Sequence, residues 1–360
     1  MSSSWKNRLS LFGESHGPGI GVVLNGLPPG FFVDWAEVSS EMRRRAPDRS
    51  KLSTERVETD SVEILSGLFQ GRTTGSPLCA LIRNLDTRSD DYAEIRDKPR
   101  PGHSDYPAFV RGGGFNDYRG GGHFSGRLTA PLVFAGALVR QILRERGVSI
   151  GAHIQRIRGV TDNSFATADL SPQLFAALSA EFLPVLNKAI RPALERVILE
   201  ARAAGDSVGG VVECAILGLA PGLGAPFFDS VESALASLFF AVPAVKGVSF
   251  GLGFALAERL GSESNDAYYF DENGRVRTRT NNCGGLLGGL TTGMPLVCSV
   301  AVKPTASIAR PQETVDLRQG TAAVLAVRGR HDPCIVPRVV PVLESVAALA
   351  IWDLMEGGGG

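Results

Sequence analysis

Apolar positions in this 360-residue chain gather in short runs broken by glycine and proline. Three of these runs, "GIGVVLNGL" (19–27), "SVGGVVECAILGL" (207–219) and "GMPLVCSVAVKP" (293–304), are β-branched and bounded by Gly or Pro, which predicts strands. Helical spacing predicts a helix over 34–45, with Asp34 as N-cap and Trp35, Val38 and Met42 on one face. Further helices are predicted over 128–146, 172–182, 190–204, 229–240 and 341–355. The second of the six carries "LTAPLVFAGALV", apolar nearly all round, so it belongs at the centre of the molecule, and Pro131 suits its first turn. Strands and helices do not alternate strictly, so the fold class is α+β layers rather than a doubly wound parallel sheet. No fixed-period repeat or composition shift divides the chain. One domain over 1–360 with long functional loops is expected, frayed at the glycine-rich end, 356–360.

Composition narrows the function. The apolar share of 44% and charged share of 21% are those of a soluble globular protein with a full core. Net charge is zero, which argues against nucleic acid as partner. No stretch of about 18 uninterrupted apolar residues appears, so no membrane span is expected and a cytoplasmic location is the default. Cys79, Cys214, Cys283, Cys298 and Cys334 are odd in number and form no CxxC pair, which favours buried free thiols in a reducing compartment.

Four of the five histidines lie in polar loops punctuated by Gly or Pro: His16 in "GESHGPG", His103 in "RPGHSDY", His123 in "GGGHFSG" and His331 in "GRHDPC". Such loops are where binding residues concentrate. No HExxH or other short ligand pair occurs, so no metal site is expected. Arginines share these loops. Arg127 opens the apolar helix beside three glycines, where an anion could meet a helix N-terminus and a guanidinium together. Arg43 and Arg44, in contrast, read as a solvated helix end. Lys303, Thr305 and Ser307 put one cation and two hydroxyls within five residues, which suits a phosphate. The P-loop, the GxGxxG turn and the GxSxG elbow are all absent. Residue chemistry alone therefore reads as an enzyme with a His/Arg-rich pocket for a phosphorylated anionic small molecule.

Taken in order, the loops resemble the chorismate synthase family. The matching stretches are "FGESHGPGIGVVLNGLPPG", "ERVETDSVEILSGLFQGRTTGSPL", "NLDTRSDDY", "RPGHSDY", "RGGGHFSGR", "AVKGVSFGLGF", "GSESND", "NNCGGLLGGLTTGMP", "KPTASI" and "GRHDPCIVPRVVPVLES". They run from residue 12 to about residue 345. The resemblance implies a β-α-β sandwich, central helices between two antiparallel sheets, assembled as a homotetramer. It implies 1,4-elimination of phosphate from 5-enolpyruvylshikimate 3-phosphate to give chorismate, with reduced FMN required although no net redox change occurs. Carried over by motif, His16, His103 and Asp332 are the acid–base residues, and Arg45, Arg127 and Arg330 hold substrate. FMN falls to His123, Phe124, Ser125, Pro243, Ala244, Gly288, Lys303, Pro304, Thr305, Ala306, Ser307 and Arg330. Arg45 and Lys51 match basic positions tied to nicotinamide nucleotide, which implies NADPH as a reductant. No reductase domain is visible, so an external flavin reductase is the companion expectation.

The chain departs from the family pattern at His123 (commonly Arg), Phe124 (Ser), Gly126 (Ala), Leu128 (Glu) and Pro243 (Asn), and Lys51 stands where Arg is frequent. These changes are expected to retune cofactor affinity without abolishing the reaction, since a titratable imidazole replaces a permanent cation at 123. The competing readings are a flavin-independent phosphate lyase on the same scaffold and a degenerate paralogue that only binds anionic metabolites.

Overall fold

Two antiparallel sheets enclose a layer of helices in the computed structural model, which describes residues 8–47, 52–54, 60–85, 94–327 and 331–357. The first sheet has the order Leu9–Gly13, Gly19–Leu24, Leu78–Arg83, Val62–Ser66. Its register pairs Ile20 with Ile82, Val22 with Ala80 and Leu24 with Leu78, all of them buried. The period-2 alternation thus sends one apolar row inward. The second sheet has the order Val245–Phe250, Leu296–Val302, Gly210–Leu217, Ser149–Ile157, Val160–Thr161, again antiparallel throughout.

The filling is helical. Thr129–Glu145 is buried at every position from Thr129 to Val139, as its all-round apolar pattern requires, and Pro131 sits in its first turn. It packs on Val336–Gly357 and on the first sheet, while Val336–Gly357 packs on the second. Gly136 makes the helix crossing possible: a Cβ there would lie 2.2 Å from Ser345 Cβ. Trp35–Arg45 and Val231–Ala241 complete the layer. Asp34 caps the former as expected, its carboxylate accepting from the Ala36 and Glu37 amides. One apolar core runs through the helices to both sheets.

Several expectations are corrected. The last helix starts at Val336 rather than 341, with Pro337 in its first turn and Pro341 inside it. It continues through Gly357, Glu356 pairing with Arg146, so the frayed end does not begin at 356, and residues 358–360 lie outside the described set. Arg44 is not solvated: its Nη1 lies 2.6 Å from both Glu41 and Glu344. Arg140 meets the same two carboxylates, closing a buried four-member ion network between three helices. Burial alone would raise the Glu41 pKa, but the two guanidiniums hold it below its ordinary value. All five cysteines are free, three of them buried and Cys79 and Cys283 half-buried.

His153, the histidine outside the loop motifs, lies in the second sheet, fully buried between Glu213 at 2.9 Å and Asp162 at 3.3 Å. Desolvation works against its charge, but the two carboxylates outweigh it and raise its pKa. Glu213 also accepts from the Phe165 amide and the Ser164 hydroxyl, so this cluster fastens a loop to the outer sheet face.

Candidate active site

A cavity of about 790 Å³ opens at one edge of the sandwich, where loops from both sheets meet the ends of the central helices. Into it come Arg100–Ser104, Gly120–Leu132, Phe240–Lys246, Lys303–Ser307 and the start of the last helix. Most of the residues singled out in the sequence converge here: Arg45, His103, His123, Phe124, Ser125, Arg127, Pro243, Ala244, the run 303–307 and Asp332. Two do not line it. His16 is buried beside it, and Gly288 forms the tight turn between Leu286–Leu287 and Leu290–Thr291, with φ +62°. Lys51 and Arg330, also expected at the site, lie outside the described residues.

The three glycines owe their identity to the protein itself. Gly120, Gly121 and Gly122 have φ of +59°, +86° and +54°, which side chains resist. A Cβ on Gly120 would stand 2.5 Å from His16 Cδ2, one on Gly121 3.0 Å from His103 Cε1, and one on Gly122 2.2 Å from the Asp117 carbonyl oxygen. The run is a bare strip of backbone passing between two imidazoles. Close approach of a cofactor is not needed to explain it.

His103 sits in a small network inside its own motif. Asp105 Oδ1 lies 2.6 Å from His103 Nδ1, and Arg100 Nη2 lies 3.1 Å from the same nitrogen. Asp105 favours a proton on Nδ1 and Arg100 favours its absence, so the tautomer is set by a competition. Burial comes first in pushing the His103 pKa down, helped by Arg100 and Lys303 against Asp105, so the ring is neutral at pH 7. Arg100 also donates to Ser307 Oγ at 2.9 Å and to both Asp105 oxygens, which locks the His103 loop to the 303–307 run. The Asp105 carboxyl, despite burial, is held far below its usual range by those donors.

In a second network, Asp60 accepts from Arg45 Nη1 at 2.9 Å and from Arg127 Nη1. Arg45 further donates to the Gly126 carbonyl and to Thr129 Oγ1, and Arg127 Nε to Asn84 Oδ1 at 3.1 Å. Asn84 in turn donates to the carbonyls of Glu14 and Gly17, the loop that carries His16. Asp332 is fastened by Arg338, the Thr54 amide and Ser53 Oγ. His123 Nδ1 lies 2.9 Å from the Gly13 carbonyl, to which it donates.

Among the described residues, six cations line the cavity: Arg45, Arg100, Arg127, Lys246, Lys303 and Arg338. Three described carboxylates, Asp60, Asp105 and Asp332, answer them, so among the described residues cations outnumber carboxylates here, which suits an anionic ligand. Sequence reading missed Arg100, Asp105, Asp60 and Arg338. All four stand inside stretches quoted above, Arg100 and Asp105 in "RPGHSDY", Arg338 in "GRHDPCIVPRVVPVLES" and Asp60 in "ERVETDSVEILSGLFQGRTTGSPL", but no local spacing gives them a role.

A family model described as chorismate synthase matches residues 7–355. The chain is 50% identical over 346 residues to a chorismate synthase of Pyrococcus abyssi, covering 96% of this chain and 94% of that one. It is 48% identical to a chorismate synthase of Thermococcus kodakarensis at the same coverage, and 43% identical over 352 residues to one of Dehalococcoides mccartyi, covering 98% and 95%. A crystal structure of chorismate synthase superposes with a TM-score of 0.75 at 28% identity, covering 98% of this chain and 93% of that one.

Proposed function

The chain belongs to the chorismate synthase family, and we propose that its basic cavity is where 5-enolpyruvylshikimate 3-phosphate loses phosphate to give chorismate. The observation that carries this reading is the meeting, in one cavity, of the paired Arg45 and Arg127 with a neutral His103 and the 303–307 run. A phosphate monoester that also bears carboxylates needs more than one cation, and Arg45, Arg127 and Lys303 all line the cavity.

Elimination needs charge taken up at the leaving phosphate and a proton removed across the ring. Arg45 and Arg127 neutralise the anion and hold it in a fixed orientation. His16 does not line the cavity but lies directly behind the bare side of Gly120, which does, and it is assigned to hydrogen-bond the departing phosphate past that strip. His103 is neutral, with Nδ1 engaged by Asp105 and Arg100, so its acid–base chemistry runs through Nε2. Asp332 is a fixed carboxylate on the same cavity and is assigned to the proton path.

Reduced FMN suits these surroundings. Thr305 Oγ1 is buried in the lining without a hydrogen-bond partner among the described residues, and Ala244 holds φ +73°, an unusual backbone for alanine. The volume lies in the upper part of the range for small-molecule sites, about 300–1,000 Å³. Lys303, Thr305, Ser307, His123, Phe124, Ser125 and Ala244 would hold the cofactor. When bound, it supplies electron density to the allylic C–O bond that breaks. Gly288 does not line this cavity and is not assigned to the cofactor here.

A homotetramer, a cytoplasmic location and reduction by an external flavin reductase complete the proposal; among the described residues no helix is long and apolar enough to cross a membrane. The test is anaerobic turnover of 5-enolpyruvylshikimate 3-phosphate with dithionite-reduced FMN, following phosphate and chorismate, beside a flavin-free control. Turnover only with reduced flavin is expected. Equal turnover without flavin would support a flavin-independent lyase, and binding without phosphate release would support a degenerate paralogue.

A further inference from the structure

Asp60 belongs to none of the motif histidines, arginines or cofactor loops, yet its carboxylate is the point where two of the site's guanidiniums meet. Its side chain is 1% exposed, with Oδ2 taken by Arg45 and Oδ1 by Arg127. The two arginines arrive from unrelated places, one at the end of Trp35–Arg45 and one in the turn before Thr129–Glu145. Each has a second anchor that fixes its remaining face: the Gly126 carbonyl and Thr129 Oγ1 for Arg45, and Asn84 Oδ1 for Arg127. Asp60 itself has φ +44°, a left-handed backbone that Asp and Asn tolerate better than other side chains. A two-pronged carboxylate held there ties one Nη of each guanidinium to one rigid group.

We infer that Asp60 is a positioning residue that makes Arg45 and Arg127 a single preset anion clamp. This deepens the reading of the cavity as a site for a phosphorylated, carboxylate-bearing substrate and rests on it. A clamp whose two halves are already oriented loses little conformational freedom when the anion arrives. The alternative role for Asp60 is simple charge balance, and the two roles move binding in opposite directions. Removing a negative charge beside two cations strengthens the field on an anion, so charge balance alone gives a lower KM for Asp60→Asn. Asparagine replaces one of the two acceptor oxygens by an NH2 that only donates and so faces a guanidinium donor to donor, and loss of positioning gives a higher KM.

The experiment compares the native chain and Asp60→Asn in the anaerobic assay with reduced FMN. KM is separated from kcat, inhibition by inorganic phosphate is measured, and thermal melting and FMN binding report the fold. We expect KM and the phosphate inhibition constant to rise together by about ten-fold, with a smaller fall in kcat and unchanged FMN affinity. A folded variant with KM unchanged or lowered would overturn the inference. Should Asp60→Asn fail to fold, Asp60→Glu carries the same test, since it keeps the charge but displaces both oxygens: a raised KM supports positioning and a native KM overturns it. Absence of turnover in the native chain would overturn the functional reading instead. Calorimetric phosphate binding to the two proteins then judges the clamp by itself, weaker binding by the variant supporting it and equal binding sinking it.

Discussion

Gly120→Ala puts a methyl group into space that His16 already occupies. The new Cβ would stand 2.5 Å from His16 Cδ2, 2.7 Å from Nε2 and 2.7 Å from Ser15 Oγ, where ordinary contacts begin at 3.4 Å. The imidazole therefore has to retreat by about 0.9 Å. The backbone adds its own cost, about 1–2 kcal/mol for an L side chain at φ +59°. For a chain of this size that lowers Tm by only a few degrees, so the variant is expected to fold. A displacement of about 1 Å at a group that positions the reacting atoms costs on the order of 10²-fold in turnover. We expect kcat in the reduced-FMN assay to fall about a hundred-fold, with KM and flavin affinity close to native. The control is Gly120→Ala in a His16→Ala background, where the methyl group has no ring to displace and only the Ser15 hydroxyl to turn aside, so it should cost stability but little further turnover. Native turnover in the single variant, or full additivity in the double, would refute the assignment of His16. The neighbouring glycines grade the argument. Gly121→Ala meets His103 at 3.0 Å and should cost only several-fold in turnover, whereas Gly122→Ala meets backbone at 2.2 Å and should not fold.

Other expectations follow from the same structure. The raised His153 pKa contributes stability that is complete below the unfolded value of 6.5 and is lost as pH rises through the higher folded value. His153→Leu should thus cost about 3 kcal/mol in urea unfolding at pH 6 and less at pH 9, and a pH-independent cost would contradict the assigned charge. Glu344→Gln leaves Arg44 and Arg140 short of a buried partner, and a loss of about 3 kcal/mol is expected in the same assay, with a loss under 1 kcal/mol counting against the network. His123→Arg places a permanent cation in the lining and should tighten reduced-FMN binding in a fluorescence titration; weaker binding would show that Phe124 and His123 act as a matched pair.

What was legible in the sequence was what neighbours in sequence decide. Asp34 announces its helix because a cap acts within three residues, and the all-apolar stretch at 128–139 announces the centre because a helix without a polar face has nowhere else to go. The last helix extends one turn beyond its predicted start although Pro337 and Pro341 are both residues that ordinarily break helices. Here the missing Pro341 N–H would have served the carbonyl of Pro337, itself in the first turn, and packing on Thr129–Glu145 outweighs that one bond. Arg44 misled for a non-local reason, since the carboxylate that buries it is 300 positions away. Asp60 is the clearest case: its role depends on partners at 45 and 127, and no pattern near 60 could report them. The glycine triplet was conspicuous from the start, but its cause required knowing which rings lie on either side.

The crossing at Gly136 and Ser345 also bears on how the chain is made. Synthesis delivers Thr129–Glu145 long before Val336–Gly357, the helix that covers it, so its most apolar surface must wait through the whole of the second sheet for its partner. The start of that late helix also closes the cavity through Ile335, Arg338, Val339 and Val342. A nascent chain therefore lacks both its complete core and its complete cavity until its last helix has emerged, and closing the cavity and burying the exposed apolar surface happen in the same act. Slow translation of the final segment should lengthen the window for aggregation more than a pause of equal length anywhere in the first sheet.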